Sequence, residues 1–374
     1  MAVVLVTGGA GFIGSHLVDA LVARGHEVRV LDSLEPQVHG PSGALPDYLN
    51  PAVVFHRGRI EDPDALEAVL PGVDVIFHEA ALVGVGQSMY EIRRYVDGNT
   101  GATAAFLEYL VRHPECRPRK LVVASSMSIY GEGSYRDSRG NDLNPRLRPR
   151  RQLENRQWEI IDSHGNAALP QPTGEQKPLF PTSVYAVTKR DHEELCLSVG
   201  HAYRIPTVAL RYFNVYGPRQ ALSNPYTGVA AIFSARLLNH NAPLIFEDGQ
   251  QTRDFVHVSD IAQANLLAME SDAADYQAIN VGTGTPTSVL RVASLLAGHL
   301  GYGGEPSILG KFREGDIRHC VADISRARDL LGYRPTVMLD HGIPELVQWV
   351  SAQQGVLDST DHAAAELRKW GLTE

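Results

Sequence analysis

Short, mostly apolar runs at residues 3–6, 28–31, 53–56, 75–78, 121–125 and 207–210 alternate with longer stretches in which apolar residues recur every third or fourth position. The runs predict buried strands and the longer stretches predict helices. Residues 12–23 form the clearest helical stretch, with Ile13, Leu17, Leu21 and Val22 as an inward stripe. Residues 100–111 read as a second helix, and the segment containing Lys189 as a third. Strand–helix alternation of this kind predicts an α/β fold, a Rossmann-type doubly wound parallel sheet with helices on both faces. From about Tyr212 the rhythm loosens, and Gly, Pro and Asn break it into shorter elements. A strand at 255–258, a helix at 259–269, a strand at 279–281, a helix from Ser288 and an end segment at 341–349 predict a smaller mixed α/β unit. The reading places a first domain at 1–211 and a substrate-binding unit at 212–374, with some segments of the second returning to the first. No internal repeat is visible.

One stretch departs from both patterns. Residues 133–180 are polar and rich in Pro and Arg, including Arg146, Arg148, Arg150, Arg151 and Arg156, with Trp158 among them. A structureless loop of this length is uncommon inside a compact domain, so a partly ordered insertion near the active site is expected. Composition does not choose between a solvated excursion and an arginine-rich flap over an anionic substrate.

Composition narrows the function classes. The chain has 374 residues, 44% of them hydrophobic, and a formal net charge of -9. The global field repels phosphate backbones and anionic bilayers, which argues against nucleic-acid or membrane-surface binding, while leaving local sites for phosphate ligands. Three widely spaced cysteines, Cys116, Cys196 and Cys320, do not make a disulfide framework or a metal-ligand pair, and no metal is inferred. The chain enters a strand almost at once, which leaves no room for a signal peptide, and no apolar run is long enough to span a bilayer. A cytoplasmic protein is the expectation.

The turn after the first strand carries the first chemical signal. Gly8, Gly11 and Gly14 stand at G-x-x-G-x-x-G spacing between strand and helix. Glycine permits the tight turn and lets backbone amides approach a pyrophosphate at a helix start. A glycine triplet alone is weak, but the following strand ends at Asp32, placed to accept hydrogen bonds from a ribose. Its charge repels a 2'-phosphate, favouring NAD over NADP; a turn or cap role is the plain alternative. Phe12, Ile13, Ile60, Ala80, Ala81 and Asn99 complete the expected cofactor contacts, with small residues after His78 admitting the dinucleotide. His78 itself reads as a packed histidine. Asn99 serves as a helix cap or as support near the catalytic tyrosine. Asp62 or Glu61 lies near the adenine, or Asp62 simply makes a turn.

The second signal is Ser126 at a strand end together with Tyr185 and Lys189, four residues apart and so on one helical face. Tyrosine is a poor base at its ordinary pKa near 10. An ammonium and a positive nicotinamide stabilise its phenolate. Ser126 orients a substrate hydroxyl, and Lys189 also reaches a ribose. Separately, each residue has a bland reading, as a half-buried aromatic and a solvated helix charge. Beside the glycine turn, the set points to redox chemistry on a hydroxyl.

Taken jointly, these motifs resemble the extended short-chain dehydrogenase/reductase family, in its nucleotide-sugar epimerase/dehydratase branch, over nearly the whole chain. The residues that carry the resemblance are 6–16, His78-Glu-Ala-Ala81, Ser125-Ser126, Tyr185-Ala-Val-Thr-Lys189, Arg211-Tyr-Phe-Asn-Val-Tyr-Gly217, Arg253-Asp-Phe-Val-His257 and Arg313-Glu-Gly-Asp316. The resemblance implies NAD as cofactor, a dTDP- or UDP-sugar as substrate and a homodimer. It implies substrate contacts from Val83, Ser126, Ser128, Asn214, Ala230, Arg253 and Arg313, with 224–233 lining the base and sugar. Arg253 and Arg313 independently offer the bidentate donors that phosphates favour, although either alone also suits a structural ion pair.

Members of this branch catalyse epimerisation, 4,6-dehydration, decarboxylation or reduction. Dehydratases resemble Thr-Asp-Glu where this chain has Ser126-Met127-Ser128, so the carboxylates for elimination are missing and an epimerase is favoured. The closest detailed resemblance is to the dTDP-L-rhamnose 4-epimerase-like group, through 225–233, 246–250, 315–320, Trp158 and Pro170-Gln-Pro-Thr173. A paired-cysteine motif of some relatives is absent here, and Gly58-Arg59 replaces the usual Gly-Asp. UDP-glucuronate and UDP-glucose/galactose 4-epimerases, a UDP-glucuronate decarboxylase, a 4-keto-sugar reductase and a non-catalytic NAD-responsive interaction protein remain as alternatives.

Overall fold

The computed structural model describes residues 1–373. Seven strands form the central sheet: β1 (Val3–Thr7), β2 (Glu27–Asp32), β3 (Val54–Arg57), β4 (Val75–His78), β5 (Lys120–Ser126), β6 (Thr207–Tyr212) and β7 (Gln277–Val281). Their order is β7-β6-β5-β4-β1-β2-β3, and every neighbouring pair is parallel. The chain direction across the sheet reverses between β1 and β4, which opens a crevice beyond the carboxyl ends of those strands.

Side-chain alternation along β1 explains the two-sided core. Val4 and Val6 join Phe77, Val122 and Leu210 on one face, against Leu17 and Leu21 of α1 (Phe12–Ala23). Leu5 joins Ile76, Leu121 and Val123 on the other, against α2 (Pro63–Val69), α3 (Ala102–Arg112) and α4 (Val184–Tyr203). Strands buried on both faces read as apolar runs, which is why the sequence locates them.

The longer helices that follow are α5 (Val229–Leu238), α6 (Val258–Glu270), α7 (Val289–His299), α8 (Leu339–Ser351) and α9 (Thr360–Lys369). Helices α5, α7 and α8 enclose a separate core of Tyr216, Phe233, Phe255, Leu296, Ile343 and Leu346 beside a small sheet formed by 214–216, 252–257, 286–288 and 319–320. Two segments within 212–374, where the sequence leaves open which parts return to the first domain, pack with the large sheet. The strand expected at 279–281 is the end of β7, an edge strand of the large sheet paired with β6. Helix α6 supplies Ile261 and Ala264 to the core that contains α1. Periodicity identifies both elements but carries no information on their neighbours.

Two further differences bear on the site. The helix expected from residue 100 begins as a π-helical stretch, Val96–Gly101, ahead of α3. The 133–180 insertion is ordered: strands 134–136, 142–143 and 169–171 make a three-stranded sheet, followed in the chain by the approach to α4. None of its arginines lines the large cavity described below, so the flap reading is not the observed arrangement. Nor are they all solvated, because Arg148 is buried in ion pairs with Glu132 and Glu247.

Candidate active site

A cavity of about 810 Å³ runs from the carboxyl ends of β1, β2, β4 and β5 into the smaller unit. The glycine turn forms one end. Gly8 adopts φ +69°, and a Cβ there would lie 2.8 Å from the backbone of Ala80. At Gly14 a Cβ would lie 2.3 Å from the Gly8 carbonyl oxygen. Glycine is therefore required for the crossing of β1 with the loop after β4. Gly11 caps α1 with no side chain across the helix start, leaving its first amides and partial positive charge open to an anion.

Asp32 lies at the end of β2 with its carboxylate held by two backbone amides, Ala10 N at 3.0 Å and Leu34 N at 2.9 Å. Each oxygen keeps a further lone pair for a ligand hydroxyl. Phe12, Ile13, Ile60, Ala80 and Ala81 line the same end. Asp62 does not: it caps α2, accepting from Asp64 N at 3.1 Å. Arg59 pairs with Glu61 at the rim. The glycine crossing, the uncapped helix start and the anchored carboxylate fit a dinucleotide such as NAD, with the pyrophosphate at α1 and the adenosine ribose at Asp32.

The catalytic candidates converge at the other side of the switch point. Ser126 ends β5 and caps the turn that follows. It accepts from Ser128 N at 3.2 Å and from Ser128 Oγ at 2.9 Å, so its own proton is directed elsewhere. Ser183 caps α4 by accepting from Ala186 N at 3.1 Å. This places Tyr185 in the first turn, where its amide donates to Ser88 Oγ at 2.9 Å. Burial pushes the Tyr185 phenol up to about 12, and the hydrogen bond from Ser126 works against that rise. Lys189 is buried one turn later, and its ammonium donates to the Ala124 carbonyl. Burial lowers it to about 8, with the Glu79 carboxylate opposing the shift. Glu79 is itself raised by burial to about 7, moderated by the Tyr212 hydroxyl, which donates to it at 2.7 Å, and by Lys189.

His78 is the packed histidine expected, between Thr7 Oγ1 at 2.9 Å and Thr103 Oγ1 at 3.2 Å, and burial lowers it to about 3. Asn99 does not line the cavity. From the π-helical stretch it grips both backbone groups of Leu82, at 2.7 and 3.0 Å, and Thr188 Oγ1 at 3.0 Å. It therefore ties the loop after β4 to the helix carrying Tyr185 and Lys189, and acts as a support.

Toward the smaller unit the cavity is lined by Val83, Ser128, Asn214, Arg253 and Arg313. Asn214 Oδ1 is buried without a hydrogen-bond partner among the described residues, the state of a group awaiting a ligand hydroxyl or amide. Arg253 spends donors on the carbonyls of Thr252, Ile317 and Arg318. Arg313 pairs through Nε with Asp316 at 2.8 Å and lies 4.6 Å over the Phe246 ring. Ala230 is different: it is 2% exposed and faces the α5 core, while Val229, Ile232 and Phe233 of the same helix line the cavity. Sequence reasoning missed Glu79, Phe246, Lys311 and α9, all of which line it.

The family model for the NAD dependent epimerase/dehydratase family matches residues 4–152 and 163–282. The chain belongs to that family. It is 36% identical over 352 residues to the dTDP-L-rhamnose 4-epimerase of Burkholderia thailandensis, covering 94% of this chain and 95% of the relative. Among solved structures it is similar to the UDP-glucose 4-epimerase of Thermotoga maritima with UDP-glucose, at TM-score 0.75 and 32% identity, over 93% of this chain and 98% of that one. It is also similar to the UDP-glucuronic acid 4-epimerase of Bacillus cereus in complex with UDP-glucuronic acid and NAD, at TM-score 0.76 and 29% identity, over 93% and 99%. The cofactor of the family is NAD, and the glycine turn and Asp32 of this chain fit it.

Proposed function

We propose that this chain is an NAD-dependent nucleotide-sugar 4-epimerase acting on a dTDP-6-deoxyhexose of the dTDP-L-rhamnose type. The observation that carries the reaction class is the arrangement at Ser126. Elimination of water needs carboxyl groups beside it, whereas Met127 and Ser128 stand there and the Ser128 hydroxyl is committed to Ser126 at 2.9 Å. Similarity to the Burkholderia enzyme supports the sugar.

In this mechanism Tyr185 takes the proton of the C4 hydroxyl, and the Ser126 hydroxyl orients that oxygen. The Lys189 ammonium favours the phenolate form of Tyr185. Bound NAD supplies the hydride acceptor and donor at C4. The 4-keto sugar turns within the cavity, held by its diphosphate at Arg253 and Arg313, and Tyr185 returns the proton to the C4 oxygen on the opposite face. Binding energy from the nucleotide is used for positioning while the sugar moves.

A panel of dTDP- and UDP-sugars followed by NMR tests the reading. Conversion of dTDP-L-rhamnose to its C4 epimer without stoichiometric NADH is expected. Release of CO2 from UDP-glucuronate, or net NADH consumption with a 4-keto sugar, overturns it. Preferential turnover of a UDP-sugar keeps the chemistry and corrects the substrate. We also propose a homodimer through Ile92, Val96 and Val187, apolar side chains 53%, 40% and 43% exposed around the π-helical stretch and α4. Val187→Glu should yield a monomer by light scattering; a wild-type monomer refutes this assembly.

A further inference from the structure

Residues 359–373 follow the elements that build both cores and yet line the cavity. Helix α9 buries only Ala363 and Leu367, so its position depends on a few contacts at its ends and along one face. On one side the Leu367 side chain covers Gly86, where an added Cβ would come within 3.1 Å of it. The Trp370 ring stacks on Tyr90 with centroids 6.0 Å apart and planes 10° from parallel. Tyr90 in turn shares a 2.6 Å hydrogen bond with Tyr226, which also lines the cavity. On the other side the Leu372 carbonyl accepts from Glu314 N at 3.0 Å, and Thr373 Oγ1 donates to the Phe312 carbonyl at 3.1 Å. These two contacts flank Arg313. The segment therefore links the loop after β4 to the loop that carries Arg313, with the cavity between them.

Arg368 is exposed and lines the cavity rim from this segment, and its guanidinium has no hydrogen-bond or ion-pair partner among the described residues, whereas its neighbour Lys369 pairs with Glu366 at 3.4 Å. The other arginines of this end are partly committed, Arg253 to three carbonyls and Arg313 to Asp316. An uncommitted guanidinium at a cavity wall, beside a loop bearing a second arginine, suits a phosphate group, which it can grip in a bidentate fashion.

We propose that residues 359–373 form a ligand-responsive cover of the substrate cavity and that Arg368 contacts the diphosphate of the nucleotide. This rests on the nucleotide-sugar reading above. The contacts that hold the segment are peripheral, so it opens by local unfolding without disturbing either core. A diphosphate bridging Arg368 and the opposite wall then holds it closed.

The test uses the full chain with dTDP and UDP as probes, read by calorimetry and by amide hydrogen exchange of 360–373. At least one nucleotide should slow exchange across this segment. Arg368→Ala should weaken its binding about tenfold, the scale of one charge-assisted contact, with unchanged Tm. Arg368→Lys should recover part of the loss, and Trp370→Ala should speed exchange in the free protein. Equal affinity of Arg368→Ala and wild type for the nucleotide that wild type binds, or no protection of 360–373 by it, overturns the inference while leaving the functional reading intact. Loss confined to sugars with a C6 carboxylate overturns the assignment to the diphosphate. If wild type binds neither dTDP nor UDP, the nucleotide-sugar reading fails with it.

Discussion

Replacing Lys189 by Met isolates the charge on which the proton transfer depends. Burial pushes Tyr185 up to about 12 against the opposing hydrogen bond from Ser126; at neutral pH a phenol in that state is almost wholly protonated. Lys189 is one helical turn away, a spacing that puts the two Cβ atoms about 6 Å apart, and we take the ammonium at that distance from the phenolate oxygen. Unit charges at that separation and an effective dielectric of about 20 interact by about 2.8 kcal/mol. That is about two pH units on the tyrosine, or roughly a hundredfold in phenolate population. Lys189→Met, which keeps the volume and removes the ammonium, should therefore lower kcat about a hundredfold at neutral pH. The sign on the pH axis follows: without the cation the phenolate forms later, so the acid limb of the profile moves upward by about two units. The assay is the pH dependence of kcat and kcat/KM by coupled or NMR detection, with Tm as a check on folding. A folded variant that retains a third or more of wild-type kcat, or whose acid limb superimposes on that of wild type, refutes the reasoning.

Tyr185→Phe should reduce turnover by about 10²- to 10⁴-fold, the usual contribution of a general acid–base, while NAD binding measured by fluorescence stays near wild type. Glu79→Gln removes the charge that holds Lys189 up against burial; because a lowered lysine loses its proton as pH rises, the alkaline limb of kcat/KM should move from about 8 to lower pH, and a limb that stays in place counts against this pairing. Gly14→Ala puts a Cβ 2.3 Å from the Gly8 oxygen, so equilibrium dialysis should show NAD binding abolished or greatly weakened. Arg211 donates to Glu193 at 2.9 Å and 2.5 Å and to Tyr130 at 2.7 Å behind Ser126. Arg211→Ala strands a buried carboxylate and should cost about 3–5 kcal/mol in denaturant unfolding.

The parts of the site legible in sequence are those fixed by local chain geometry. Gly14 is readable because its close approach to Gly8 is made within one turn of chain, and Gly8 because the turn itself needs a positive φ, although its crossing partner Ala80 is distant in sequence. Tyr185 and Lys189 are readable because a helix fixes their relation. Ala230 and Asn99 misled for a related reason: a helix that lines a cavity presents one face to it, and the sequence does not say which face. The π-helical stretch turned Asn99 toward Leu82, and Ala230 faces the α5 core. Helix α9 went unread because its sequence is polar, although Ala363 and Leu367 do stand four apart on one buried face. Glu79 stood inside a recognised motif but its role went unread, since that role comes from Tyr212, distant in sequence, and from Lys189 on another element.

The composition of the insertion leaves a solvated excursion and an arginine-rich flap both open, and the structure shows neither. Its arginines do meet anions, but those anions belong to the protein. Arg148 donates to Glu247 at 2.8 Å and to the Asp316 carbonyl at 3.1 Å, and Arg150 to Glu314 at 2.9 Å. Thr182, just beyond the insertion, donates to the Gly315 carbonyl at 3.0 Å. These contacts converge on 314–316, the loop beside Arg313, and Glu247 also accepts from the buried Arg318 at 3.0 Å. The long gap between Ser126 and Tyr185 thus braces the loop that presents Arg313. Removing Arg148 would leave Glu132 and Glu247 as buried carboxylates with one partner fewer, a cost that falls on the position of 313–318 and only through it on the substrate. The insertion acts on the site through the placement of Arg313, without itself entering the cavity.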